Sequence, residues 1–301
     1  MKQFCLVFLA AAVFLHAAAN PFVGRWDITI TTPKDSYPDW MEIVEKDGKL
    51  DGRIQPRGGA VRPIASASMN GSRLLVTQSG TPALTWDLAI EGGKLTGTQK
   101  RGDTKDGDVA GVPAPKLDRK MPKSWTKPEP LFNGKDLTGW EPVKNPENSH
   151  WVANGGTLFN EAKGSNIRTT KTFQDFKLHV EVNCPGHCNS GIYLRGRYEI
   201  QVGTEGGKLP SHEMGAVYGY FPPDKEMPLN AGEWQTFDIT LVGRHVTVMR
   251  NGIKIHDNQE LPGITGGALD SNEAEPGPIF FQGDHDGGMR YRNITMSVPK
   301  K

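Results

Sequence analysis

Short stretches in which apolar and polar residues alternate recur along almost the whole chain. Residues 26–30 and 84–90 are examples, and the pairs at 47–48 (Asp-Gly) and 70–71 (Asn-Gly) lie between such stretches. Strict alternation is typical of a half-buried strand, and these pairs are typical of tight hairpins. A long helix would instead show an apolar residue every three or four positions. The pattern therefore predicts an all-β protein.

Two regions of alternation are separated by a stretch of different composition. Successive hairpins in residues 20–100 predict a small antiparallel β-barrel or meander domain. Its opening, Gly24 to Trp26, resembles the Gly-x-Trp start of lipocalin-type barrels. With about 80 residues we expect its interior to be filled by side chains. Residues 101–128 are rich in Gly, Pro and charge, which predicts an extended linker.

The second domain is expected over residues 129–301. Residues 176–182 place Phe176, Leu178 and Val180 on one face of a strand and polar side chains on the other. Many strands of this kind, with no long helix between them, predict a sandwich of two sheets.

The first 19 residues have the features of a targeting segment. Lys2 supplies a positive charge, residues 4–15 are apolar, and residues 17–19 are three alanines. This order is that of a secretory signal peptide, cleaved near Ala19. About 12 apolar residues are too few to span a bilayer comfortably. We therefore expect a periplasmic or secreted protein with no membrane span.

Charge and cysteine content narrow the possible partners and ligands. With a net charge of +1, the chain lacks the excess of positive charge that is typical of nucleic-acid-binding proteins. No nucleic-acid partner is therefore expected. Cys184 and Cys188 flank His187, and in an oxidising compartment two close cysteines usually pair as a disulfide. A metal site that includes His187 is the alternative, although zinc prefers four ligands.

An ordered set of short motifs lies in the second domain. These are LFNGKDLTGW at 131–140, WVANGGTL at 151–158, NSGIYLR at 189–195, YEIQV at 198–202, GAVY at 215–218, GEWQ at 232–235, GPIFFQ at 277–282, His285, and RNI at 292–294. Together they resemble the 3-keto-disaccharide hydrolase family, across about residues 129–299. The resemblance implies a concanavalin-like jelly roll and cleavage of 3-keto-glycosides. This chain departs from the family pattern at Gly283, before Asp284-His285, and in the cysteine-bounded loop before Asn189.

Alternation in two of these motifs predicts a cluster of polar side chains. Glu199 and Gln201 share one face of their strand, and Tyr193 and Arg195 share a face of the preceding strand. If the two strands pair, carboxylate, amide, phenol and guanidinium groups meet. Such a surface suits a carbohydrate.

The chemistry of a 3-keto sugar assigns roles to these groups. The ketone acidifies the C2 hydrogen, so a base can abstract it and the C1 substituent can leave, by elimination or with later addition of water. Glu199 is the preferred base and His285 its rival, with Arg195 stabilising the enediolate. Arg292 is a second candidate for that stabilisation.

Asn189, Tyr193, Gln201 and Arg292 are the candidate substrate-binding residues. A divalent cation bound by carboxylate and imidazole could polarise the ketone instead. Two other functions stay open: a non-catalytic carbohydrate-binding module, and an adhesion or structural protein.

Overall fold

The computed structural model describes residues 20–186, 188–203, 209–225, 227–228 and 230–300. The predicted signal peptide and His187 therefore lie outside the described residues. Two 3-10 turns, Pro146–Asn148 and Pro210–His212, are the only helical elements among the described residues. None of these residues forms a helix long and apolar enough to cross a membrane. The prediction of an all-β fold is confirmed.

The N-terminal part is one antiparallel sheet of nine strands, in the order β4-β3-β2-β1-β9-β8-β7-β6-β5. Its inner face carries a core that includes Ile28, Met41, Val76 and Trp86. The strands are β1 (Gly24–Thr31), β2 (Ser36–Lys46), β3 (Lys49–Gln55), β4 (Arg62–Pro63), β5 (Ser66–Asn70), β6 (Arg73–Gln78), β7 (Leu84–Glu91), β8 (Lys94–Arg101) and β9 (Thr104–Pro113).

Strand β9 corrects the predicted start of the linker. It pairs with both β1 and β8, so the sheet continues to Pro113 instead of ending at residue 100. The inward positions of β9 include Gly107, Val109 and Gly111, and two of these have no apolar side chain to reveal the alternation. Gly107 is required there, because a methyl group would lie 2.7 Å from Cγ2 of Ile30.

The C-terminal part is a sandwich of an eight-stranded and a five-stranded sheet. The larger sheet has the order β12-β13-β22-β15-β18-β19-β20, with β10 paired to β22, and the smaller has the order β11-β14-β21-β16-β17. The strands are β10 (Glu129–Pro130), β11 (Trp140–Val143), β12 (Trp151–Asn154), β13 (Thr157–Asn160), β14 (Asn166–Thr169), β15 (Phe176–Asn183), β16 (Asn189–Leu194), β17 (Tyr198–Gly203), β18 (Trp234–Val242), β19 (His245–Arg250), β20 (Ile253–Glu260), β21 (Phe280–Phe281) and β22 (Arg290–Ser297).

One continuous apolar core lies between these two sheets. Val180 and Phe237 contribute to it from the larger sheet, and Ile192, Ile200 and Phe281 from the smaller one. The predicted two-sheet sandwich is confirmed. Because the small sheet buries one face in this core, its other face is available for polar side chains.

The outer face of β1 packs against the C-terminal part. The Thr29 hydroxyl lies 2.7 Å from that of Ser271, and Asp27 is buried close to Glu273. Burial, together with the negative charge of Glu273, raises the pKa of Asp27 to about 10. At neutral pH Asp27 is therefore protonated and can donate a hydrogen bond to Glu273, which also accepts one from Arg244.

This carboxyl pair predicts a pH-dependent stability. The unfolded chain releases the Asp27 proton near pH 4, whereas the folded chain keeps it to about pH 10. The contribution of protonated Asp27 to the stability of the folded chain is complete below pH 4 and is lost as the pH rises towards 10. Asp27→Asn keeps a donor without a titrating proton, so its stability relative to the wild type should rise from pH 5 to pH 9. Urea unfolding at several pH values measures this difference.

Asp108→Asn is the matched control, because Asp108 lies on the exposed side of β9 and pairs only with Lys105 among the described residues. Its stability profile should run parallel to that of the wild type. If the stability profile of Asp27→Asn also ran parallel to that of the wild type, this would contradict the protonated state of Asp27.

Candidate functional site

The hairpin of β16 and β17 carries most of the predicted site. Its register pairs Tyr193 with Glu199, Gly191 with Gln201, and Asn189 with Gly203. Side chains alternate, so these residues share the face that points away from the sandwich core. The predicted meeting of Tyr193, Glu199 and Gln201 on two paired strands agrees with this register, and the candidate Asn189 lies on the same face.

Glu199 is held by a direct hydrogen bond from Tyr193. The phenol oxygen of Tyr193 donates to Oε2 of Glu199 at 2.6 Å, and Glu199 is only 2% exposed. Gly191 makes this position possible, since a methyl group there would lie 2.3 Å from Oε1 of Glu199. Gly267 lies against the Tyr193 hydroxyl, since a methyl group at this position would be only 2.1 Å from that oxygen. Both glycines thus leave room for the Tyr193–Glu199 pair.

The surroundings keep Tyr193 protonated. Burial raises the pKa of Tyr193 well above its usual range, and the charge of Glu199 and the hydrogen bond to it raise it further. Its ring also stacks on Phe280, with 4.1 Å between the ring centroids. Tyr193 is therefore a fixed, neutral donor, and Glu199 is a carboxyl group in a nearly dry place where it can take up or deliver a proton.

Side-chain amides surround this pair on the same face. Gln201 donates to Oδ1 of Asn189 at 3.3 Å. Gln282 follows β21, where its backbone N–H donates to the carbonyl of Gly191. The Oε1 atoms of Gln201 and Gln282 are buried and have no hydrogen-bond partner among the described residues. Buried carbonyl oxygens of this kind can accept hydrogen bonds from the hydroxyl groups of a sugar.

His285 lies in the loop that follows β21. Its Nε2 is 3.8 Å from the carboxylate of Asp284, and its side chain is 41% exposed. The Asp284 charge contributes to the raised pKa of Tyr193, so this loop lies near the Tyr193–Glu199 pair. Gly288 packs against Pro185, which places the disulfide loop beside it.

The structure separates Arg195 from Glu199. Strand β16 ends at Leu194, and Arg195 begins the turn with a φ of 53°, so the alternation no longer holds. Its fully buried guanidinium donates to the Tyr198 hydroxyl and to the carbonyl of Gly243, each at 3.0 Å. The structure therefore does not bring Arg195 beside Glu199, because Tyr198 points to the opposite face of the hairpin.

Arg292 is also far from the predicted cluster. It lies on β22 of the larger sheet, where its Nε donates to Glu181 at 2.7 Å and its guanidinium lies 3.8 Å from the ring centroid of Trp234. These partners are on the outer face of that sheet. The structure thus places Arg292 in a surface ion pair and does not bring it together with Tyr193 and Glu199.

The predicted disulfide is present: Cys184 and Cys188 are bonded immediately before β16. Among the residues that the structure describes, no group of three or more His, Cys, Asp or Glu side chains is arranged to hold a metal ion. Phe280, Gln282 and Gly267 were not predicted as site residues. The strand motif at 277–282 could have indicated the first two, whereas Gly267 lies outside every motif.

Residues 127–297 match the family model described as a 3-keto-alpha-glucoside-1,2-lyase-like domain. The match covers more than half of the chain. The chain belongs to this family. The family predicted from the ordered motifs is therefore confirmed, and it places the β16–β17 hairpin within the matched region. No curated protein matches the sequence of this chain.

Three solved structures from Parabacteroides distasonis ATCC 8503, all named as candidate glycosyl hydrolases, resemble the chain. The first is 26% identical, covers 60% of this chain and 92% of its own, and has a TM-score of 0.49. The second is 19% identical over 60% of this chain and 95% of its own, with a TM-score of 0.46. The third is 24% identical over 58% of this chain and 98% of its own, with a TM-score of 0.44.

The Tyr193–Glu199 hydrogen bond predicts a measurable contribution to stability. Tyr193→Phe removes a donor from a buried carboxyl group, so the free energy of unfolding should fall by about 1–3 kcal/mol. Tyr291→Phe is the matched control, because its hydroxyl is bonded to the neutral Ser190 hydroxyl, at 2.6 Å. That loss should be about 0.5–1.5 kcal/mol. Urea unfolding compares the two, and a loss for Tyr193→Phe no larger than the control would contradict the assignment.

Proposed function

We propose that this protein is an exported carbohydrate-active enzyme that cleaves the glycosidic bond of 3-keto-glycosides, with Glu199 as the base. The observation that carries the proposal is the buried Glu199 carboxyl group, held by Tyr193 on a sheet face lined with amides. Membership of the 3-keto-alpha-glucoside-1,2-lyase-like family supports the substrate class. The Cys184–Cys188 disulfide supports the proposal that the protein functions in an oxidising compartment.

The proposed reaction begins at the C2 hydrogen of the sugar. Glu199 takes this proton, and the electrons of the C–H bond move to form the enediolate with the C3 oxygen. The C1–O bond then breaks as a C1=C2 double bond forms and the C3 carbonyl returns. The leaving oxygen takes up a proton, which gives an unsaturated keto sugar. Addition of water to its double bond gives net hydrolysis.

Tyr193 fits the role of an orienting donor. Its hydrogen bond fixes Oε2 of Glu199, and the carboxyl group lies directly over Gly191. Because its pKa is raised, Tyr193 stays protonated at neutral pH and does not compete as a base. Fixing the base in this way lowers the cost of reaching the geometry for proton transfer.

The amides provide contacts for the hydroxyl groups of the sugar. Gln201 and Gln282 each direct a buried Oε1 atom to hydroxyl donors, and Asn189 anchors the Gln201 amide. We assign the protonation of the leaving group to His285, which is half exposed in the neighbouring loop. Glu199 remains the better base, because it is buried and its position is fixed.

Glu199→Gln tests the assignment. The amide keeps the size of the side chain but cannot take a proton, so aglycone release should fall by about 10²–10⁴-fold while the melting temperature changes little. The assay compares a 3-keto-glucoside with its unoxidised parent, with and without EDTA. Release is expected from the keto sugar alone.

Glu181→Gln is the matched control, because Glu181 pairs with Arg292 on the outer face of the larger sheet. Its turnover should match that of the wild type. Unchanged turnover in Glu199→Gln would remove Glu199 from the mechanism. Saturable sugar binding by the wild type with no release would favour a carbohydrate-binding module, and loss of release in EDTA would add a metal.

A further inference from the structure

Both backbone polar groups of Glu199 are bound by loops outside its own hairpin. Its N–H donates to Oγ1 of Thr265 at 2.9 Å, and its carbonyl accepts from the N–H of Tyr218 at 3.1 Å. Thr265 also donates its own N–H to the carbonyl of Arg197 at 2.9 Å. The 217–221 loop and the 263–267 loop therefore fix the position of Glu199 from both sides.

Trp40 of the N-terminal sheet packs against both loops. Its fully buried indole meets Tyr220 edge to face, with 5.9 Å between ring centroids and 78° between planes. A methyl group on Gly263 would lie 2.2 Å from Nε1 of Trp40, so the indole lies directly on the backbone there. The Tyr220 hydroxyl donates to the carbonyl of Ile264 at 3.0 Å, which joins the two loops behind Trp40.

A turn of the N-terminal sheet touches the same two loops a second time. A methyl group on Gly219 would lie 2.9 Å from Cα of Ala60, and one on Gly266 would lie 2.4 Å from the carbonyl oxygen of Gly59. Each loop thus has a glycine where the N-terminal backbone comes closest. No side chain would fit at either point without moving the sheet and the loop apart.

We propose that the N-terminal sheet is a positioning element for Glu199, and that Trp40 is its central positioning residue. The chain of contacts runs from Trp40 through Tyr220 and Gly263 to the two loops, and from them to the backbone of Glu199. The proposal rests on the proposed function of Glu199 as the base. A shift of about 1 Å in such a group can cost up to about 100-fold in rate.

Trp40→Ala tests this chain of contacts by hydrogen–deuterium exchange of the full protein. Exchange should become faster in peptides that cover residues 198–203, 215–221 and 263–267, because the loops lose their support. Residues 177–183 of the larger sheet should be unchanged. Trp40→Phe keeps an aromatic ring against Tyr220 and should restore most of the protection.

Val76→Ala is the matched control, since Val76 is fully buried in the core of the same sheet. It should lower the melting temperature without faster exchange in the two loops. If Trp40→Ala does not fold, Trp40→Leu retains bulk but loses the edge contact, and the same peptides are compared. Unchanged exchange around Glu199 in the folded variant would overturn the proposal.

Steady-state turnover of a 3-keto-glucoside supplies the second measurement. Trp40→Ala should lower kcat about tenfold or more with a smaller change in KM, because the base is displaced while Asn189 and Gln282 lie outside the loosened segments. Trp40→Phe should recover kcat. An unchanged kcat together with faster exchange would also overturn the proposal. If the wild type shows no turnover, the proposed function fails, and the exchange experiment still decides whether Trp40 supports the loops.

Discussion

A carboxyl group kept almost dry on a sheet face is the constraint that organises this molecule. A buried charge is costly unless donors reach it, and Tyr193 supplies one at 2.6 Å. Gly191 and Gly267 leave the space that this pair needs. The core of the sandwich fixes the hairpin from below, and the loops that hold the Glu199 backbone fix it from the side. The N-terminal sheet packs against those loops. The sandwich and the N-terminal sheet therefore both help to fix the position of Glu199.

Much of the fold and part of the site could be predicted from the sequence, because strand alternation is a local property. The alternation within 198–202 places Glu199 and Gln201 on one face, and the register with Asn189 and Tyr193 follows once two neighbouring strands form a hairpin. The ordered motifs identify the family for the same reason: they record a set of local structures in a fixed order. Cys184 and Cys188 are close in sequence, and their pairing needed no knowledge of the fold.

The structure differs from the expected placements where local alternation stops or where two sheets must be told apart. Arg195 follows the last residue of β16, and its left-handed backbone turns the side chain towards Tyr198. Arg292 belongs to strand β22, whose place in the larger sheet follows from long-range pairing with β13 and β15. Glycines at inward positions hid strand β9 within a predicted linker. The contacts of Trp40 with the 263–267 loop join residues more than 200 positions apart, which no local pattern reports.

The fate of the C2 hydrogen is the most direct measure of whether a base in this site attacks the sugar. A 3-keto-glucoside labelled with deuterium at C2 is turned over in ordinary water, and the products are analysed by mass spectrometry beside a sample without enzyme. Loss of the label in step with aglycone release, beyond the exchange seen without enzyme, is the expected result. Release of the aglycone with the C2 label fully retained would contradict proton abstraction and with it the role given to Glu199.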